Sequence, residues 1–94
     1  MKVRFSGDEI RFPDWGDDLK AFIATVESAL GTNARKRRFL IFVVRYEFEI
    51  DGETVPLFAD EDGDAHFELA KNSAAVKQKV IDRIKQSGAF EEQG

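Results

Sequence analysis

The sequence contains no cysteine. That excludes a disulfide framework, a thiolate nucleophile and cysteine-ligated zinc, so the fold has to stand on its core alone, and a cytoplasmic protein is the expectation. Proline is scarce, at two residues, and glycine modest, at seven, which is the make-up of an ordered domain and not of a linker. Long apolar runs are missing too. The longest, FLIFVV at 39–44, is far short of the ~20 residues of a membrane-spanning helix, and MKVRFSGDEI at the start has no apolar targeting segment. A soluble, unprocessed chain with no membrane partner is therefore expected. Histidine occurs once, at His66, and neither a phosphate loop nor a dinucleotide fingerprint is present.

What is there is a 94-residue chain with 43% apolar residues, nine of them phenylalanine. This length accommodates one core, so a single domain over 1–90 with a frayed tail at 91–94 is expected. Eighteen acidic and fourteen basic residues give a net charge of -4, which argues against a surface built throughout to hold phosphate backbones.

Residues 1–12 alternate apolar and polar. A two-residue turn at Gly7 and Asp8 places Phe5 opposite Ile10 and Val3 opposite Phe12 on one face, with Arg4 beside Arg11 on the other, where those like charges need water or an acidic group between them. Asp14 reads as the cap of a helix over 15–30, whose apolar positions Trp15, Leu19, Phe22, Ile23, Val26 and Leu30 share one stripe, with Gly31 as its stop. Residues 37–50 read as one long strand with Leu40, Phe42, Val44, Tyr46, Phe48 and Ile50 towards the core. Asp51 and Gly52 form a type I′ turn that pairs Phe48 with Val55, Tyr46 with Leu57 and Val44 with Ala59. Pro56 marks the strand over 53–59 as an edge or a bulge. A short strand over 65–69 follows, then a helix capped at Asn72 or Ser73 with Val76, Val80, Ile81 and Ile84 buried. The fold class is α+β: an antiparallel sheet packed against two helices, in the order ββαβββα.

The functional signals are of four kinds. On the outer face of the long strand Phe39, Ile41 and Val43 are apolar before Arg45, Glu47 and Glu49 turn polar, and Phe58 lies opposite Arg45. Either another part of the chain covers this strip, or it is an interface for another protein or a second copy, or it lines a small pocket. Arg35, Lys36, Arg37 and Arg38 are four consecutive cations suited to anions, and Lys71, Lys77, Lys79, Arg83 and Lys85 add charge around the last helix. Lys77 and Lys79 lie about 200° apart on a helix, so no single stripe holds both.

Asp60, Asp62 and Asp64 match the first, third and fifth positions of an EF-hand loop. Ala65 and Lys71 stand where its glycine and bidentate glutamate belong, so a polar turn is the expectation and no metal site is assigned. His66 lacks a second tuned group, none of Ser6, Ser28, Ser73 and Ser87 sits in a nucleophile elbow, and the Glu47 and Glu49 pair reads as solvated. Trp15 and Tyr46 fall on core stripes, with their polar atoms expected to find partners at the rim.

The αβββα order over 14–87, with AKNSAA at 70–75, resembles the double-stranded RNA-binding domain. The lysine cluster and the Gly, Pro and His loop of that family have no counterpart here, and its function is not carried over. The reading is a non-enzymatic binding module or inhibitor without a cofactor. It acts through Phe39, Ile41, Val43, Arg45 and Phe58, with nucleic-acid binding through 35–38 and the last helix as the alternative.

Overall fold

The computed structural model describes residues 1–38, 41–60 and 63–93, with the backbone alone for Arg38. Among these residues the elements are β1 Lys2–Ser6, β2 Glu9–Phe12, α1 Leu19–Leu30, β3 Arg35–Arg38, β4 Val43–Ile50, β5 Glu53–Asp60, β6 Ala65–Glu68, α2 Ala74–Gln86 and β7 Glu91–Glu92. All strands join one sheet in the order β3-β4-β5-β6-β2-β1-β7. Neighbours are antiparallel except β1 and β7, which are parallel. The fold is α+β in the order ββαβββα, with the strand after α1 folded into a hairpin and a two-residue strand added at the tail.

Both helices lie on one face of the sheet. Alternation sends Val3, Ile10, Phe12, Phe48, Val55, Leu57 and Phe67 to that side, where they meet Phe22, Val26 and Leu30 of α1 and Val76, Val80 and Ile84 of α2. Phe12 is the meeting point: its ring lies 5.2 Å from Phe22, 6.0 Å from Phe67 and 5.0 Å from Phe90 between centroids. The expected registers hold in both hairpins, with Phe5 opposite Ile10 and Phe48 opposite Val55. The second turn has the type I′ form, with φ of 53° at Asp51 and 80° at Gly52. No helix among the described residues is long and apolar enough to cross a membrane.

Four local expectations are corrected. The first helix begins at Leu19 and not at 15, because Gly16 takes a φ of 103° and Asp18, not Asp14, caps it by accepting from the Ala21 amide at 3.0 Å. Trp15 is left in the preceding loop, stacked on Phe22 and bonded through its amide to the Gly63 carbonyl at 3.1 Å, while its indole Nε1 has no partner at the rim. The long strand over 37–50 is two antiparallel strands, β3 and β4, with Arg37 opposite Arg45. The chain reverses between β3 and β4, and Phe42 is not in the core but 66% exposed; Leu40 lies outside the described residues.

The strand bearing Pro56 is interior, with β4 and β6 on its two sides, but its pairing with β6 stops at Leu57 opposite Phe67, one residue before the proline. The missing amide thus falls where no ladder needs it. Beyond Gly88 the tail does not fray at once. Phe90 packs on Phe12, and the Glu91 and Gln93 amides donate to the Met1 and Val3 carbonyls at 2.7 and 2.8 Å.

The start of α2 is tied to the β4–β5 hairpin. Glu53 accepts from the Ser73 hydroxyl at 2.6 Å, the Ser73 amide at 2.8 Å and the Asn72 side chain at 3.2 Å, while Ser73 caps the helix through the Val76 amide at 3.2 Å. The Ser73 bonds, side chain first and then backbone, hold the Glu53 carboxyl below its usual value, against a smaller opposing effect of burial.

Two outcomes are expected. Phe12→Ala, which removes a ring with no exposure, costs about 3–5 kcal/mol in urea denaturation. Because the Glu53 carboxyl is lowered in the folded state, its stabilisation is present above the ordinary value of 4.5 and is lost as pH falls through the folded value. The stability gap between wild type and Glu53→Gln, measured by urea denaturation at several pH values, accordingly narrows on acidification.

Candidate interaction surface

Among the described residues no helix lies on the face of the sheet away from α1 and α2, and strand register organises that face into rows. One row crosses six strands: Arg37, Arg45, Phe58, His66, Arg11 and Arg4 stand directly beside one another from β3 to β1. Its centre is a stack. The Phe58 and His66 rings lie 5.5 Å apart at 26°, and the Arg45 guanidinium lies 5.5 Å from the Phe58 centroid.

The flanking residues are acidic and neutralise the arginines. Glu47 accepts from Arg45 at 3.0 Å and Arg37 at 3.3 Å. Arg11 donates to Asp64 at 2.5 Å and, through Nε, to Glu9 at 2.9 Å. The hydrogen bond to Glu9 and then the charge of Asp64 raise the Arg11 pKa, against the opposing effect of burial. Arg4 reaches the side chain of Gln93 at 3.2 Å. The repulsion expected between Arg4 and Arg11 is therefore met by acidic groups around Arg11, while Arg4 is exposed. His66 Nε2 lies 3.2 Å from Glu68, and Glu49 accepts from the Thr54 hydroxyl at 2.7 Å.

The interface residues named from the sequence are spread over this end of the molecule. Val43 and Arg45 are half-buried on β4, and Phe58 is half-buried beside Arg45 on β5. Ile41 projects from the β3–β4 link with 88% exposure, and Phe39 lies outside the described residues. The apolar groups that are described are accordingly divided between the sheet face and the β3–β4 link and form no continuous strip along one strand. Sequence reasoning missed Phe42, which joins Ile41 there; the clue was that neither face of 39–42 carries a polar residue.

The cations are likewise divided. Arg35 to Arg38 form the edge strand β3, its start held by the Glu27 carboxylate of α1, which accepts from the Ala34 amide at 2.8 Å. That carboxylate adds to the effect of burial in raising the pKa of nearby Tyr46. On α2, by contrast, Lys77 pairs with Asp8 and Lys79 with Asp51, Lys85 lies 5.0 Å from the Phe5 ring, and Arg83 donates to the Leu30 carbonyl at 2.8 Å.

In the acidic turn Asp60 and Asp64 bond to each other through their amides, and Asp64 is taken by Arg11. Glu61 and Asp62 lie outside the described residues, and among those described no three histidine or acidic side chains are grouped to hold a metal. Comparison of the chain with family models, with curated proteins and with solved structures finds no match.

The Arg11 and Asp64 side chains are about one third exposed, at 33% and 35%, so solvent screens much of their attraction. A double-mutant cycle with Arg11→Gln and Asp64→Asn, read by urea denaturation, is expected to give a coupling of about 0.5–1 kcal/mol that shrinks with added salt.

Proposed function

We propose that this chain is a non-enzymatic binding module, able to act as an inhibitor, that contacts another protein through the β3–β4 end of its sheet. The contact is the tip at Ile41 and Phe42 together with Val43, Arg45 and Phe58 on the adjoining face. The supporting observation is the exposure of Ile41 and Phe42, at 88% and 66%; the other large apolar side chain exposed among the described residues is Met1. Two neighbouring apolar groups held in water are a standing cost that a partner surface removes. Arg37, Arg45 and Glu47, on the two strands that the tip joins, supply the polar rim of an interface. A cytoplasmic location accords with the absence of cysteine.

Nucleic-acid binding is the second reading, and the exposed cations of β3 favour it. It draws less on α2, where Lys77 and Lys79 already have acidic partners.

The test is Ile41→Glu. Its side chain is exposed, so melting within a few degrees of wild type is expected. Binding to proteins retained from a cell extract on the immobilised wild-type chain is expected to fall by about 30-fold, the effect of losing one interface anchor. Retention of the same proteins by both chains overturns the reading. Light scattering on the free chain separates a homodimer from binding to another protein. Retention on DNA or RNA that falls steeply with salt, and that Ile41→Glu leaves unchanged, supports the second reading instead.

A further inference from the structure

β3 ends the sheet, and no strand among the described residues lies beyond it. The turn at Asp51 and Gly52 sets which of its main-chain groups face outward. In a two-residue hairpin the flanking residues, Ile50 and Glu53, exchange both hydrogen bonds, and bonded pairs then alternate along the ladder. Tyr46 and Val44 are thereby bonded to β5, and Arg45 and Glu47 are left to bond β3. The far side of β5 has the same phase, since the Asp60 amide donates to the Asp64 carbonyl at 2.9 Å. Arg45 and Glu47 pair with Arg37 and Arg35, so the N–H and C=O of Lys36 and Arg38 point out of the sheet.

The residues of that edge are all cationic, and Glu47 of β4 pairs with Arg37. Arg35, Lys36 and Arg37 are exposed, and among the described residues Arg35 and Lys36 have no acidic partner. The opposite end of the sheet shows what such an edge accepts. There β1 carries Lys2 and Arg4, and an acidic segment of the chain itself, Glu91–Glu92, adds to it by main-chain bonds with a Lys2 to Glu91 ion pair at 3.2 Å. A second copy pairing antiparallel along β3 would instead set cation against cation, which repels directly across strands.

We propose that β3 is a docking edge for an extended acidic segment of a partner protein, which adds as a further strand on Lys36 and Arg38 and sets its carboxylates beside Arg35, Lys36 and Arg37. This is strand addition, in which main-chain bonds supply affinity and flanking side chains supply selection. It rests on the reading of the chain as a protein-binding module and names the partner's chemistry.

The experiment titrates the full chain with the blocked peptide Ac-Glu-Val-Glu-Val-Glu-Val-NH2 at low salt, followed by amide NMR and hydrogen exchange. Slowed exchange at Lys36 and Arg38 is expected, with binding that weakens as salt is raised. Lys36→Pro removes the outward N–H and leaves the bonds to β4, and is expected to weaken binding about tenfold. Lys36→Gln combined with Arg35→Gln is expected to weaken it similarly and to flatten the salt dependence. If Lys36→Pro disturbs β3, the same peptide methylated at alternate amide nitrogens makes the test on the wild-type chain.

Absence of binding at millimolar peptide overturns the proposal and leaves the cations as guards against edge-to-edge association. Equal binding of the methylated peptide overturns it as well, since charge alone would then be at work. Ile41→Glu tells its failure from that of the broader reading: lost capture of partner proteins by that variant, with no peptide binding to wild type, sinks the edge and leaves the module.

Discussion

The packing of Phe12 is the contact on which the rest of this small fold depends. With no disulfide to constrain the unfolded chain, the elements hold together only as far as their side chains exclude water in common. Phe12 sits on β2, between β6 and β1 in the sheet, and its ring touches α1 through Phe22, β6 through Phe67 and the tail through Phe90. The N-terminal hairpin is thereby fastened to the middle of the molecule, and the tail is brought close enough for Glu91 and Gln93 to reach the β1 backbone. β7 consequently exists because of a core contact and not because of any strand preference in two glutamates.

A sheet with helices on one side has an open face whose side chains have to be compatible with water and with one another. Here the six-membered row from Arg37 to Arg4 would set two pairs of arginines against each other, Arg37 with Arg45 and Arg11 with Arg4, if it stood alone. Glu47 between Arg37 and Arg45, and Glu9 and Asp64 on either side of Arg11, turn it into a set of short ion pairs around an aromatic centre. These pairs are partly exposed and each contributes little to stability. Their larger effect is on recognition, because a face whose charges are already matched offers little to a polyanion. Cations without an acidic partner among the described residues, Arg35 and Lys36, stand instead at the β3 end of the sheet.

Much of this was legible in the sequence because it is local. The Asp51 and Gly52 turn sets the β4–β5 register without reference to the rest of the chain, and the stripes at 22, 23, 26 and 30 and at 76, 80 and 84 mark the buried helix faces. What could not be read was decided elsewhere. Asp14 and Asp18 are equally good caps on paper, and the backbone at Gly16 chooses between them. Residues 39–42 include none of Gly, Pro, Asn or Asp, so an unbroken β-rich run conceals two strands. Arg35 and Lys36, which looked like a loop before the strand, become an edge only once strand order is known, and strand order is a property of the whole sheet. The exposed tip at Ile41 follows from the reversal between β3 and β4.

The composition of β3 is hard to account for within the fold. Four consecutive cations place Arg37 directly opposite Arg45, a repulsive pair that Glu47 has to offset. One or two charges suffice to discourage edge-to-edge pairing, and a β-branched residue at either place would suit the strand better. At the other end of the sheet the same problem has a visible solution: a basic edge strand is completed by an acidic segment through main-chain bonds and an ion pair. A cationic strand that fits its own sheet poorly, placed beside two apolar side chains held in water, is better matched to something outside the chain than to anything within it.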